Sequence, residues 1–253
     1  MPNPKVLITG ASGLIGGLVL NNLSEKYDFS ALNRREVEGV PHRQADIASL
    51  DEILPAFDGI DTVLHLSAYL EDVNDWDNTN KVNITGTYNV FEAARRNNVS
   101  RVVFASSGST MLGYELDYPY GHIARGEHEK IPDNWKLVDY KDPVRPDSLY
   151  GVSKIFGETL GRYFSDYHDI SVINIRLGAV LDTDKPKLVR HYPGYLSQLD
   201  CVQIIDLCLS APDSITFETF DAISDNKLKW RDTSHATKKL GWNPIGRSDQ
   251  YEL

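Results

Sequence analysis

The chain has 253 residues, 41% hydrophobic and 25% charged, which suits one domain with a sizeable core. Its formal net charge of -10 sets the surface against phosphate backbones and anionic lipid heads, so nucleic-acid and membrane partners are not expected. Cys201 and Cys208 are too few for a disulfide framework and fit one face of a helix as two buried thiols. No signal peptide is read ahead of the first apolar run, and no run is long enough to span a bilayer, so the expected location is cytoplasmic.

In chain order, KVLIT (5–9) is a short β-branched run, the pattern of a strand buried on both faces. A glycine-rich turn follows, then a helix over LIGGLVLNNLSEK (14–26). FSALN (29–33) and HRQADI (42–47) read as the second and third strands, and SLDEILPAF (49–57) as a helix with acids in its first turn. DTVLHLSA (61–68) is the fourth strand, and residues 81–97 form a long amphipathic helix ending in the Arg95-Arg96 pair, where cations complement the helix dipole. RVVFASS (101–107) and SVINIRLG (171–178) are the fifth and sixth strands, with a helix beginning near Ser148 between them. LDCVQIIDLCLSA (199–211) reads as a helix, TFETFDAI (216–223) as a strand, and HATKKLGW (235–242) as a short helix. Residues 114–147 and 182–198 show no clear period; the first stretch is expected to be a long loop, functional or mobile, with the length to roof the site. The scattered His122, Glu127, His128 and Glu129 lack metal-ligand spacing, and no metal site is read there.

Strands alternating with helices imply βαβ units. The expected fold class is therefore α/β, a Rossmann-type doubly wound parallel sheet with a small C-terminal substrate-binding extension. One domain is expected over 1–253, with 1–178 as the dinucleotide-binding core and 179–253 lying mostly on the substrate side.

Thr9-Gly10-Ala11-Ser12-Gly13-Leu14-Ile15-Gly16 sits between the first strand and its helix. Glycines 10, 13 and 16 let the turn tighten and a pyrophosphate approach the backbone, and the third lets helix pack on strand. The helix start offers free N–H groups to the phosphates. An acid at the end of the second strand would hold a ribose 2′-hydroxyl, but Asn33-Arg34-Arg35 stands there, and a guanidinium suits a 2′-phosphate. NADP is expected over NAD, with Asp46 and Ile47 flanking the adenine.

Tyr150-Gly151-Val152-Ser153-Lys154 puts a phenol and an ammonium one helical turn apart on one face. A free tyrosine titrates near 10, so a neutral-pH base needs a downward shift of roughly three units, about 4 kcal/mol. A cation at about 4 Å supplies that order of energy at an effective dielectric near 20. Lys154, aided by the positive ring of an oxidised nicotinamide, is expected to do so. Ser107, at the end of the fifth strand, is placed to steady the reacting oxygen, with Ser106 and Ser109 as competitors.

TGASGLIG, HLSA, VNITGTYNVFEAARR, VVFASS, YGVSK, IRLGAV and DTSHATKKLGWNP together resemble the extended branch of the short-chain dehydrogenase superfamily over almost the whole chain. Within it, uronate dehydrogenases and archaeal glucose-6-phosphate dehydrogenases look nearest. The resemblance implies a triad of Ser107, Tyr150 and Lys154, with Asn83 supporting the lysine through a water. It implies that Leu66, Ser67 and Ala68 line the ribose and nicotinamide, and that Arg190, with His191 beside it, holds an anionic sugar end. Lys185 and Lys187 would add charge there. The Asn-His pair that follows the serine in uronate dehydrogenases is Gly108-Ser109 here, and the serine after the sixth strand is Ala179. A homodimer built through two helices per subunit is also implied. The expected activity is oxidation of C1 of a small anionic aldose, a sugar acid or sugar phosphate, to a lactone. An epimerase or dehydratase with tightly held NAD, and a cofactor-sensing regulator, are the alternatives.

Overall fold

The computed structural model describes residues 3–252. Seven strands form one sheet in the order β3-β2-β1-β4-β5-β6-β7, and every adjacent pair is parallel. The strands are β1 (Lys5–Thr9), β2 (Asp28–Asn33), β3 (His42–Gln44), β4 (Thr62–His65), β5 (Arg101–Ser107), β6 (Ser171–Leu177) and β7 (Phe217–Ala222). The helices are α1 (Leu14–Leu23), α2 (Leu50–Ile53), α3 (Trp76–Asn78), α4 (Thr87–Arg96), α5 (Tyr120–Arg125), α6 (Leu149–His168), α7 (His191–Gly194), α8 (Gln198–Leu209) and α9 (Ser234–Leu240).

Strand side chains alternate between two cores, as a period of two demands. Val6, Ile8, Val103 and Ile173 face one core with Val19 of α1, Ile204 of α8 and Ala236 of α9. Leu7, Val63, Val102 and Phe104 face the other with Ile53 of α2, Phe91 of α4 and Phe164 of α6. Helices thus cover both faces, and the Rossmann-type expectation is borne out. The chain winds outward from β1 to β3 and then restarts at β4 on the other side of β1. That reversal opens a crevice at the carboxyl ends of β1 and β4.

Several local expectations are corrected. The third strand ends at Gln44, so Asp46 and Ile47 lie in the turn after it. The helix expected over 81–97 is two pieces: Thr79–Gly86 winds in wide π-type turns and α4 follows. Stretch 114–147 is not a loose loop. It carries α5, and Tyr120, Ile123 and Val138 pack with Met111 and Trp230 into a satellite core of their own. Among the residues after 178, α8 packs on α1, and β7 completes the sheet beside β6. Cys201 and Cys208 are buried free thiols on α8, as expected.

The C-terminal segment is fastened by one buried carboxylate. Asp200 accepts the N–H groups of Ile245 and Gly246 at 2.9 Å each and the Ser224 hydroxyl at 2.5 Å. Removing the carboxylate strands these donors inside the protein. Asp200→Ala should therefore lose about 3 kcal/mol of stability, measured by urea unfolding. A loss within error of zero would show that water reaches the segment instead.

Candidate active site

A cavity of ≈ 1010 Å³ runs along the carboxyl ends of the central strands. At one end it is lined by the β1–α1 turn and the end of β2, and at the other by Ser107, Tyr150 and Lys154.

Gly10 has φ +76, a left-handed value that L side chains resist. A methyl group there would also meet the Ser67 backbone nitrogen at 2.8 Å. At Gly16 a methyl would meet the Ala11 carbonyl oxygen at 2.5 Å, so this glycine packs α1 against its own turn rather than against a strand. Gly13 caps α1 with no side-chain bond. The first-turn N–H groups of Leu14, Ile15 and Gly16 have no partner within the helix, and all three residues line the cavity. This bare, electropositive cradle fits a pyrophosphate. Ser12, Asn33, Arg34, Arg35, Asp46 and Ile47 line the same end. The Asn33 amide donates to the Ser12 hydroxyl and the Arg35 carbonyl, both at 2.9 Å. Asp46 pairs with Lys81 at 3.3 Å.

Leu66, Ser67 and Ala68 line the middle. His65, just before them, is fully buried between the Thr9 and Thr87 hydroxyls. Burial and the nearby Lys154 charge push it down to about 3, so it is a neutral core residue.

The Ser148 hydroxyl accepts the Gly151 N–H at 3.1 Å and starts α6. Tyr150 is tied to the loop after β4 by its own N–H, which donates to the Val73 carbonyl at 2.9 Å. Lys154 Nζ donates to the Ala105 carbonyl on β5 at 2.7 Å and sits 5.4 Å from the Tyr150 ring centroid. Ser107 Oγ accepts the Ser109 N–H at 3.1 Å, which leaves its proton free to donate.

The electrostatics correct the simple cation argument. Burial raises the Tyr150 phenol to about 12, opposed only by the Ser107 hydrogen bond. Burial likewise lowers the Lys154 ammonium to about 7, opposed by the Glu158 charge. Desolvation penalises both charged forms, and the ammonium is turned onto a backbone carbonyl. The protein's own residues thus hold the phenol protonated.

Four expected residues do not line the cavity. Asn83 spends both ends of its amide on Tyr69, accepting the N–H at 2.6 Å and donating to the carbonyl at 3.1 Å. It fixes the loop after Ala68 rather than reaching towards Lys154. Gly108 is buried against Arg231, whose guanidinium a methyl would meet at 2.9 Å. Arg190 donates to Glu115 and Asp147, at 2.9 Å each. His191 accepts the Lys187 N–H at 3.3 Å. Ser67, Ser107, Ser109 and Tyr150 do line the cavity.

Beneath the wall that carries Ser107, Tyr150 and Lys154 runs a buried chain of charges. Ser106 donates to Glu158 at 2.5 Å, Arg176 grips Glu158 at 2.8 and 2.9 Å, and Arg231 donates to Asp221 at 2.9 Å. The sequence reading missed all four charged residues. Two signals were present: Glu158 lies one turn beyond Lys154 on α6, and Arg176 interrupts an otherwise buried strand.

Residues 6–191 match the model of the NAD dependent epimerase/dehydratase family. The chain belongs to that family. It is 34% identical to the NAD-dependent glucose-6-phosphate dehydrogenase of Haloferax volcanii, covering 97% of this chain and 95% of the relative. It is 33% identical to the L-arabinose 1-dehydrogenase (NAD(P)(+)) of the same organism, covering 96% and 97%. The crystal structure of uronate dehydrogenase from Agrobacterium tumefaciens superposes with a TM-score of 0.82 at 27% identity, over 99% of this chain and 87% of that one. The resemblance read from the motifs is thereby borne out. Among the described residues no helix is long and apolar enough to cross a membrane.

Burial fixes the sign of one measurable quantity. In the cofactor-free protein Tyr150 should stay protonated past the ordinary tyrosine midpoint near 10. The ultraviolet difference spectrum of wild type minus Tyr150→Phe should show no phenolate signal up to that pH. A midpoint below it would show that the pull of Lys154 outweighs desolvation.

Proposed function

We propose that this chain oxidises C1 of a cyclic aldose to the lactone, with a nicotinamide dinucleotide as hydride acceptor. The observation that carries the reading is the gathering of Ser107, Tyr150 and Lys154 on one wall of the cavity whose other end is the glycine cradle. The three relatives are named as sugar dehydrogenases, and the chain is likewise an oxidoreductase acting on CH–OH.

A dinucleotide in the cradle supplies a hydride acceptor and, when oxidised, a positive charge near the phenol. The protein does the rest. Ser107 donates to the C1 oxygen and orients it. Tyr150 Oη, as phenolate, takes the C1 hydroxyl proton as the C1–H bond gives up its hydride. Lys154, held one helical turn beyond Tyr150 on the Ala105 carbonyl, would hold the ribose of a bound dinucleotide. Because burial holds Tyr150 protonated in the protein alone, the positive ring of an oxidised dinucleotide would favour its phenolate. Asn83 acts at one remove, by fixing the loop that carries Tyr69.

Steady-state assays of aldoses with NAD and NADP test the reading through cofactor absorbance. Reduced cofactor is expected, with Tyr150→Phe lowering kcat by about 10²–10⁴-fold, the usual worth of a general base, at little cost in dinucleotide affinity. No turnover of any aldose would sink the proposal, and protein purified with tightly bound NAD would favour the epimerase alternative.

For the cofactor, Arg34 and Arg35 line the adenine end and no acid ends β2, which supports use of NADP. Arg34→Ala should lower kcat/KM for NADP about tenfold, the loss of one charge-assisted hydrogen bond, and leave NAD unchanged. An equal loss with both cofactors would remove the argument for a 2′-phosphate contact.

A further inference from the structure

The charge of the sugar is written in what surrounds Arg190. Its guanidinium lies between Glu115 and Asp147, with Nε and Nη2 each 2.9 Å from a carboxylate oxygen. Both carboxylates are mostly covered, at 14% and 21% exposure. Asp147 adjoins the cavity wall, since its N–H donates to the Ser109 carbonyl at 3.3 Å and Ser148 beside it caps α6. The cluster of one cation and two anions therefore carries net negative charge just outside the cavity lining, joined to it through Ser109.

The other cations nearby are engaged as well. Lys187 pairs with Asp182, and Lys185 lies over the Tyr251 ring at 5.8 Å. Arg231 is spent on Asp221 and Arg176 on Glu158. His191 is pushed down by burial and by the Arg190 and Lys187 charges, which keeps it neutral. Within the cavity the cations are Arg34 and Arg35 at the adenine end, and Lys154 on the Ala105 carbonyl. The loop after β4, which Tyr150 touches through Val73, brings a carboxylate, Glu71, to the lining.

We propose that Glu115 and Asp147 make this a dehydrogenase of uncharged aldoses: by holding Arg190 between them, they leave the sugar end with no cation for a carboxylate or phosphate. This rests on the aldose reading above. A sugar anion would have to displace two carboxylates already paired and would sit beside their charge. A neutral pentose or hexose meets hydroxyls and backbone instead, from Ser67, Ser109 and the chain around Ala179. Glu115 and Asp147 are positioning residues that act through Arg190.

The test compares kcat/KM for neutral aldopentoses and aldohexoses with that for hexuronates and aldose 6-phosphates, at fixed NAD and NADP. Wild type should favour the best neutral sugar at least tenfold over the best anion. A smaller preference, or one for an anion, overturns the proposal. The Glu115→Gln, Asp147→Asn double variant should narrow the preference about tenfold, mainly through KM for the anions. An unchanged preference in variant protein that still binds dinucleotide overturns the role of the two carboxylates. If the double variant does not fold, Asp147→Asn alone and the wild-type comparison still decide. Turnover of no sugar at all would fail the parent reading and is distinguishable from a preference for anions.

Discussion

Helix α6 lies so close on β5 that a methyl at Gly157 would meet the Phe104 ring at 2.3 Å, and one at Gly151 the Ser109 carbonyl oxygen at 2.5 Å. This contact sets the cavity wall that carries Ser107, Tyr150 and Lys154. It lets Lys154 reach the Ala105 carbonyl, and it places the phenol beside the last residue of the strand. It also removes water, which is why both ionisable groups are shifted against their charged forms. A looser seat would give an ordinary tyrosine and an ordinary lysine.

The same closeness explains the charges beneath. Glu158 and Arg176 meet across the α6–β6 packing, both side chains almost fully buried, and each satisfies the other through two hydrogen bonds. Such a pair adds little net stability over apolar side chains, yet removing one partner strands the other. Asp221 shows the limit of the arrangement: one of its oxygens has no hydrogen-bond partner and is held by the nearby Arg176 guanidinium at 3.8 Å. Specific placement of Ser106 and of the segment carrying Gly108 and Ser109 is what this chain contributes.

Much of the frame was legible in the sequence. KVLIT, RVVFASS and the other strands announce themselves by composition, and the glycine turn and YGVSK motif name their own surroundings. What stayed hidden depends on partners distant in sequence. Nothing near Arg190 shows that Glu115 will meet it, since 75 residues separate them. Aperiodic stretch 114–147 looked like a loop because its apolar residues serve a satellite core completed by Trp230 rather than a regular face. Asn83 is a lysine support by the resemblance alone, and the π-type turns that aim it at Tyr69 leave no periodic trace in the sequence. The expected downward tyrosine shift leaves out the cost of taking the phenolate out of water.

Trp230 gives the molecule an order of assembly. Val138 and Trp230 exchange backbone contacts as well as side-chain packing: the Val138 N–H donates to the Trp230 carbonyl at 2.7 Å, and the Asp232 N–H returns to Val138 at 2.9 Å. The dinucleotide cradle draws on residues found in the first third of the chain. The satellite core over 114–147, by contrast, stays open until the segment around Trp230 docks on it.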